Sequence, residues 1–168
     1  VAGNLSQRIP PYRWRPSLHL SRAVSPALML PRNGMLHENE RKRMPFTKIE
    51  LPLDYDDQSG QNIAEEIHNS LVNTCGVDPD DNFCMTSRRE YSERIIHPNF
   101  MGRRDPKQTI VVEINLLSRR TGSQKEALYI DCRRRLEILG VDGSNVIIYL
   151  IENRAIDWSF GPEGSVQT

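Results

Sequence analysis

The sequence lacks the features that would place this chain in a membrane or around a metal ion. Its longest apolar run, Val146 to Ile151, has six residues, far below the roughly 20 that a helix needs to span a bilayer. The three cysteines form no CxxC pair, and the four histidines show no ligand spacing. No P-loop, GxGxxG or GxSxG motif occurs. These absences favour a cytoplasmic protein with reduced thiols and without a metal or nucleotide cofactor.

Charge divides the chain into two unlike segments. Residues 1–44 carry eight basic and two acidic residues, whereas residues 45–168 carry 14 basic and 20 acidic residues, so formal charges of +6 and −6 cancel. Five prolines interrupt every helix that the first segment could form. We therefore expect residues 1–44 to be a disordered basic extension and residues 45–168 to form one domain. The negative charge of that domain argues against nucleic acid as a partner.

Three interpretations of the extension remain open. Its arginines and its lack of acidic residues before Glu38 are typical of a targeting presequence, although the prolines spoil the amphipathic helix that such signals use. The same arginines could contact the phosphates of a nucleic acid. Alternatively, residues 1–44 are upstream sequence read in frame. Glu40 to Arg43 can be encoded almost wholly by purines, as a bacterial ribosome-binding site just before Met44 would be.

The domain consists of two similar halves. The tripeptide Gly76-Val77-Asp78 recurs 64 residues later as Gly140-Val141-Asp142, and both glycines stand where a helix C-cap is expected. The same shift superimposes strand-like segments in pairs. The predicted strands are residues 45–51, 81–88, 109–116 and 145–152.

A helix is predicted between the two strands of each half. In the first half, Ile63, Ile67 and Leu71 form one apolar stripe at helical spacing. In the second half, Ser123 to Glu126 is predicted to be a capping box. Each half is therefore β-α-β with a parallel pair of strands. The sequence predicts an α/β domain with a four-stranded sheet and two helices on one face, whose open face favours an oligomer.

Met44-Pro45 stands at the start of this domain. If Met44 is an initiator methionine, its removal leaves Pro45 with a free secondary amine, which is both a nucleophile and a base. Inside a chain, the same nitrogen is an amide with neither property. Proline is also well tolerated as the first residue of a strand. The residue alone therefore leaves a catalytic and a structural interpretation open.

Two β-α-β units opening on Met-Pro resemble the tautomerase superfamily. The similarity to its malonate semialdehyde decarboxylase branch lies in Gly76–Phe83, in Arg120 with Gln124–Tyr129, and in Glu152 with Asp157–Gly161. The resemblance extends from Pro45 to Gly161. It implies a homotrimer that acts without a cofactor on small carboxylated carbonyl compounds.

The resemblance also implies roles for three residues that could take part in the chemistry. Pro45 would be the catalytic amine, and Asp81 would orient water or the substrate carbonyl, or stabilise the prolinium. Arg120 would hold a substrate carboxylate through two parallel hydrogen bonds. Without the resemblance, Asp81 is equally an acidic residue at the end of a loop, and Arg120 a solvated residue ahead of a helix.

The remaining candidates are Arg119, Trp158 and Phe160. The decarboxylase branch has arginines on both sides of one residue, whereas this chain has Ser118-Arg119-Arg120, so the first arginine is missing unless Arg119 replaces it. Trp158 and Phe160 are two apart, hence on one side of an extended segment. They resemble a dry aromatic wall beside the proline, and packing in a core or an interface is the other interpretation.

Three functions follow from these residues. As a neutral base, Pro45 would transfer a proton between carbon and oxygen in a keto–enol tautomerisation. As an iminium, it would accept the electrons released when a 3-oxo acid loses carbon dioxide. The missing arginine weakens this decarboxylase hypothesis more than the tautomerase hypothesis. If residues 1–44 are retained, the domain is instead a trimeric scaffold without catalysis.

Overall fold

A computed structural model describes residues 45–160. The expected disordered extension, residues 1–44, and the tail, residues 161–168, lie outside the described residues. The strands are β1 (Phe46–Pro52), β2 (Cys84–Arg89), β3 (Ile110–Leu117) and β4 (Val146–Asn153), and the helices are α1 (Asp57–Cys75) and α2 (Gly122–Ile138). Both predicted β-α-β halves are present.

The strands form one mixed sheet in the order β2-β1-β3-β4. The pairs β1/β2 and β3/β4 are parallel, as predicted, and β1 and β3 are antiparallel at the centre. The starts of β1 and β2 therefore lie at the same end of the sheet as the ends of β3 and β4. Phe46 is opposite Asn115 there, and Leu117 is beside Asn153. We call this the Pro45 end of the sheet.

The core lies between the sheet and the two helices. Alternate residues of the central strands point into it, because successive side chains of a strand face opposite ways. The predicted stripe of α1 is confirmed, since Ile63, Ile67 and Leu71 are each at most 1% exposed. α2 contributes Leu128, Cys132 and Leu136, which are fully buried. The helices lie side by side, joined by an ion pair of 2.8 Å between Arg135 Nη1 and Glu66 Oε2.

The start of α2 differs from the predicted one. Its N-cap is Thr121, whose Oγ1 accepts a hydrogen bond from the Gln124 N–H at 3.2 Å, while Gln124 Oε1 accepts one from the Thr121 N–H at 3.0 Å. Ser123 lies inside the first turn. Thr121 and Ser123 are each followed three residues later by Gln or Glu. The earlier capping box is used because it lets the helix begin two residues sooner.

The sheet face opposite the helices carries a polar network. Glu113 accepts hydrogen bonds from Tyr149 Oη at 2.6 Å and Asn115 Nδ2 at 2.8 Å, and its carboxylate lies 3.2 Å from Lys48 Nζ. The hydrogen bonds from Tyr149 and Asn115 lower the pKa of Glu113 to about 2. Apolar side chains on the same face are exposed: Met85 by 59%, and Ile151 by 40%. Within residues 45–160, neither helix is long and apolar enough to cross a membrane.

Candidate active site

Pro45 lies directly before β1 and is buried. Two residues further on, the Thr47 N–H donates a hydrogen bond of 2.9 Å to the Phe83 carbonyl. The segment leading into β2 is thereby held against the segment that begins with Pro45. In the sequence as given, the Pro45 nitrogen is bonded to Met44 and is an amide.

Asp81 lies at the same end of the sheet, at the close of a β-turn. Its N–H donates to the Asp78 carbonyl at 3.0 Å, and the Asp80 N–H donates to Asp78 Oδ1 at 3.0 Å. The prediction that a strand begins at Asp81 is wrong, because this turn uses the backbone of residues 78–81 and β2 begins at Cys84. Only Asn82 and Phe83 separate Asp81 from that strand.

Trp158 and Phe160 stack on each other, with ring centroids 6.0 Å apart and planes inclined by 4°. The Phe160 ring also contacts the Phe83 ring at 5.4 Å. We call Phe83, Trp158 and Phe160 the aromatic wall. Trp158 packs against Leu117 and Ala155, so the wall runs from the start of β2 to the end of β3.

Sequence reasoning assigned no role to Phe83, the third member of the aromatic wall. The only signal for it is its position two residues after Asp81 in a segment that was already singled out. Phe83 and Phe160 are 45% and 42% exposed, so one side of the wall faces solvent. A surface of this kind excludes water from whatever binds against it.

Arg120 follows the end of β3 and is only 8% exposed. Its Nη1 donates a long hydrogen bond of 3.3 Å to the Leu117 carbonyl. Its Nη2 is buried and has no hydrogen-bond partner among residues 45–160. A buried polar atom is almost always hydrogen-bonded, and an unpaired one in a native fold requires an explanation. A guanidinium with a spare donor is suited to a carboxylate ligand.

Arg119, unlike Arg120, is exposed. It lines an open cleft, with an empty volume of about 690 Å³, at the ends of β3 and β4. The other lining residues are Leu117, Ser118, Asn153, Arg154, Ala155 and Ile156. Arg119 and Arg120 are adjacent in the chain but differ in environment, and only Arg120 has the buried unpaired donor.

Cys84 opens β2 beside Thr47 at the Pro45 end of the sheet. Burial raises the pKa of its thiol to about 11, so the sulfur is protonated and weakly nucleophilic at neutral pH. The described part of the chain contains no group of three or more His, Cys, Asp or Glu residues suited to hold a metal ion. The predicted site residues Pro45, Asp81 and Arg120 all lie at this end of the sheet.

Comparisons with known proteins identify relatives of this chain. A family model described as a tautomerase enzyme matches residues 81–161. The probable tautomerase YusQ of Bacillus subtilis (strain 168) is 33% identical over 119 residues, which are 70% of this chain and 94% of YusQ. A crystal structure of FG41 malonate semialdehyde decarboxylase, inhibited by 3-bromopropiolate, is 27% identical with a TM-score of 0.66, covering 71% of this chain and 91% of that one.

A more distant structure shares the fold alone. The wild-type symmetric trimer of Q0 fused 4-OT is 16% identical with a TM-score of 0.60, covering 72% of this chain and 95% of that chain.

Proposed function

The chain belongs to the tautomerase superfamily, and on that premise we propose that it catalyses keto–enol proton transfer on small carboxylated carbonyl compounds, with Pro45 as the catalytic amine once Met44 is removed. The observation that carries the proposal is the unpaired, buried Nη2 of Arg120. It lies at the same end of the sheet as Pro45, Asp81 and the aromatic wall.

The proposed chemistry needs Pro45 as a neutral amine. Burial disfavours the charged form of an amine and so lowers the pKa of its ammonium. The neutral nitrogen takes the enol hydroxyl proton of the substrate and delivers a proton to the neighbouring carbon, which leaves a ketone and the free amine. Asp81 orients the substrate carbonyl, and Arg120 holds the substrate carboxylate. The aromatic wall excludes water, which strengthens both polar contacts.

Decarboxylation of a 3-oxo acid is the second candidate, supported by the 27% identity to a malonate semialdehyde decarboxylase. The Pro45 amine would attack the substrate carbonyl and form an iminium with loss of water. The carbon–carbon bond to the carboxylate would then break, carbon dioxide would leave, and its electron pair would move into the iminium. Protonation and hydrolysis would return the amine. Release of carbon dioxide that disappears in Arg120→Ala would support this candidate over tautomerisation.

We also propose that the protein is a homotrimer. The open face of the sheet exposes Met85 and Ile151 beside its polar network, and association would bury these apolar side chains. The trimeric fused 4-OT shares the fold. Light scattering is expected to give three times the mass of one chain, and a monomer at micromolar concentration would refute this assembly.

One comparison tests the enzymatic proposal. Three proteins are assayed on an enolised 2-oxo acid: the chain that begins at Val1, the chain that begins at Pro45, and the latter with Pro45→Ala. We expect turnover only in the second, with at least a roughly 100-fold loss in the other two, because an amide or a primary amine replaces the secondary amine. Equal rates in all three would refute catalysis and favour the scaffold.

A further inference from the structure

The turn that ends with Asp81 is tied to helix α1 by one imidazole. His68 Nε2 lies 2.9 Å from the Pro79 carbonyl oxygen. A carbonyl can only accept, so Nε2 carries the proton and donates. His68 follows the buried Ile67 on α1 and is itself half-buried. Its ring therefore stands beside the core, on a helix that the core holds in place.

The hydrogen bond from His68 gives the Pro79 carbonyl a donor that the turn itself does not supply. Asp78 to Asp81 form a β-turn with Pro79 at its second position, where proline is favoured. Within the turn, the Asp78 carbonyl accepts from Asp81, and the Asp78 side chain accepts from Asp80. The Pro79 carbonyl points outward from such a turn. Donation from His68 fixes the plane of the peptide that joins Pro79 to Asp80.

Asp81 is thus held from both sides. Downstream, the Phe83 carbonyl accepts from the Thr47 N–H and aligns the segment with the start of β1. Upstream, the chain leaves α1 through Gly76, and Val77, only 3% exposed, is buried in the core. Between Val77 and Asp81, His68 links the Pro79 carbonyl to α1.

We infer that His68 is a positioning residue, which sets the Asp81 carboxylate relative to Pro45 by clamping the Pro79 carbonyl. The catalytic part of this inference rests on the proposed function. In this inference, His68 acts on the reaction through the turn. In the proposed function, Arg120 holds the substrate carboxylate, so loss of His68 should lower kcat and leave KM nearly unchanged.

The test uses the chain that begins at Pro45. We expect His68→Ala to lower kcat about tenfold with KM changed less than about threefold, since a misplacement of 1 Å can lower a rate about 100-fold. His68→Gln should recover most of the rate, because its amide can donate to the same carbonyl. Glu65→Ala, an exposed site on the same helix, is the matched control and should leave kcat unchanged.

A double-mutant cycle separates positioning from a general structural role. If His68 acts through Asp81, His68→Ala should change kcat less than about twofold in an Asp81→Asn background. If the two effects multiply, His68 supports the fold as a whole and the inference is wrong.

Hydrogen exchange provides a readout that needs no activity. The Asp81 amide closes the turn, so we expect His68→Ala to speed its exchange about tenfold relative to Glu65→Ala. An unchanged exchange rate would overturn the clamp itself. Faster exchange in proteins that show no Pro45-dependent turnover would instead refute the proposed function, and with it the catalytic role of His68.

Discussion

Replacing Arg120 with methionine should stabilise the protein and remove the proposed contact with the substrate carboxylate. Arg120 is 8% exposed, and its guanidinium makes one long hydrogen bond of 3.3 Å and leaves Nη2 unpaired among the described residues. An unsatisfied buried donor costs about 1–3 kcal/mol, while a weak hydrogen bond contributes about 1 kcal/mol. The Leu117 carbonyl stays paired in the variant, since it also accepts from the Arg119 N–H at 2.9 Å. We expect Arg120→Met to raise the free energy of unfolding by up to about 2 kcal/mol.

The same substitution should lower kcat/KM for a carboxylated substrate about 100- to 1,000-fold, because a substrate carboxylate would lose its buried partner. Urea unfolding at fixed protein concentration measures the first effect, and steady-state kinetics measure the second. Arg119→Met, at the exposed neighbour, is the control and should change the free energy of unfolding by no more than about 0.5 kcal/mol. If Arg120→Met loses stability and keeps kcat/KM, the arginine is structural and the proposed carboxylate site is wrong.

Two further predictions concern stability. Burial would raise the pKa of Asp131, but hydrogen bonds from Arg134 and Arg135 outweigh this effect and lower the pKa from 3.8 to about 2. A lowered carboxyl pKa stabilises the fold above pH 4, and this contribution is lost as the pH falls towards 2. Asp131→Asn should therefore lower the free energy of unfolding by about 2 kcal/mol at pH 7 and by much less at pH 2.5, as measured by urea unfolding. An equal loss at both pH values would contradict this reasoning. Gly76 has a φ of 65°, and a Cβ added there would meet no other atom within 4 Å. Gly76→Ala should therefore lower the free energy of unfolding by about 1–2 kcal/mol in thermal unfolding, through backbone strain alone. Gly76→Asn should cost less, and equal effects of the two would contradict that reasoning.

Much of the fold could be predicted because the sequence repeats. A shift of 64 residues superimposes Phe46–Pro52 on the first seven residues of β3, and the hydrophobic alternation of β3 is plain in Ile110–Leu117. Periodicity reports which face of an element is buried, and burial follows it closely here. The residues of the candidate site lie at one end of the sheet because each belongs to a segment that leads into or out of a strand there.

The parts that could not be predicted depend on contacts between distant residues or on competing local patterns. His68 and Pro79 are 11 residues apart, and nothing in their spacing indicates that an imidazole meets a carbonyl. The β-turn that delays β2 to Cys84 uses aspartates that are equally typical of a loop. Thr121 and Ser123 satisfy the same capping pattern, so the sequence could not choose between them.

The antiparallel junction of β1 and β3 relates the two halves of the domain by a pseudo-twofold axis through the middle of the sheet. Because of this symmetry, positions at the Pro45 end of the sheet have counterparts at the opposite end. The counterpart of Pro45 is Thr109, which is wholly buried and donates its hydroxyl proton to the Asp105 carbonyl at 2.7 Å. Being internal, Thr109 can never become a chain terminus, whatever processing occurs upstream. The repeated architecture therefore reproduces the position of Pro45 without reproducing the residue that the proposed mechanism needs.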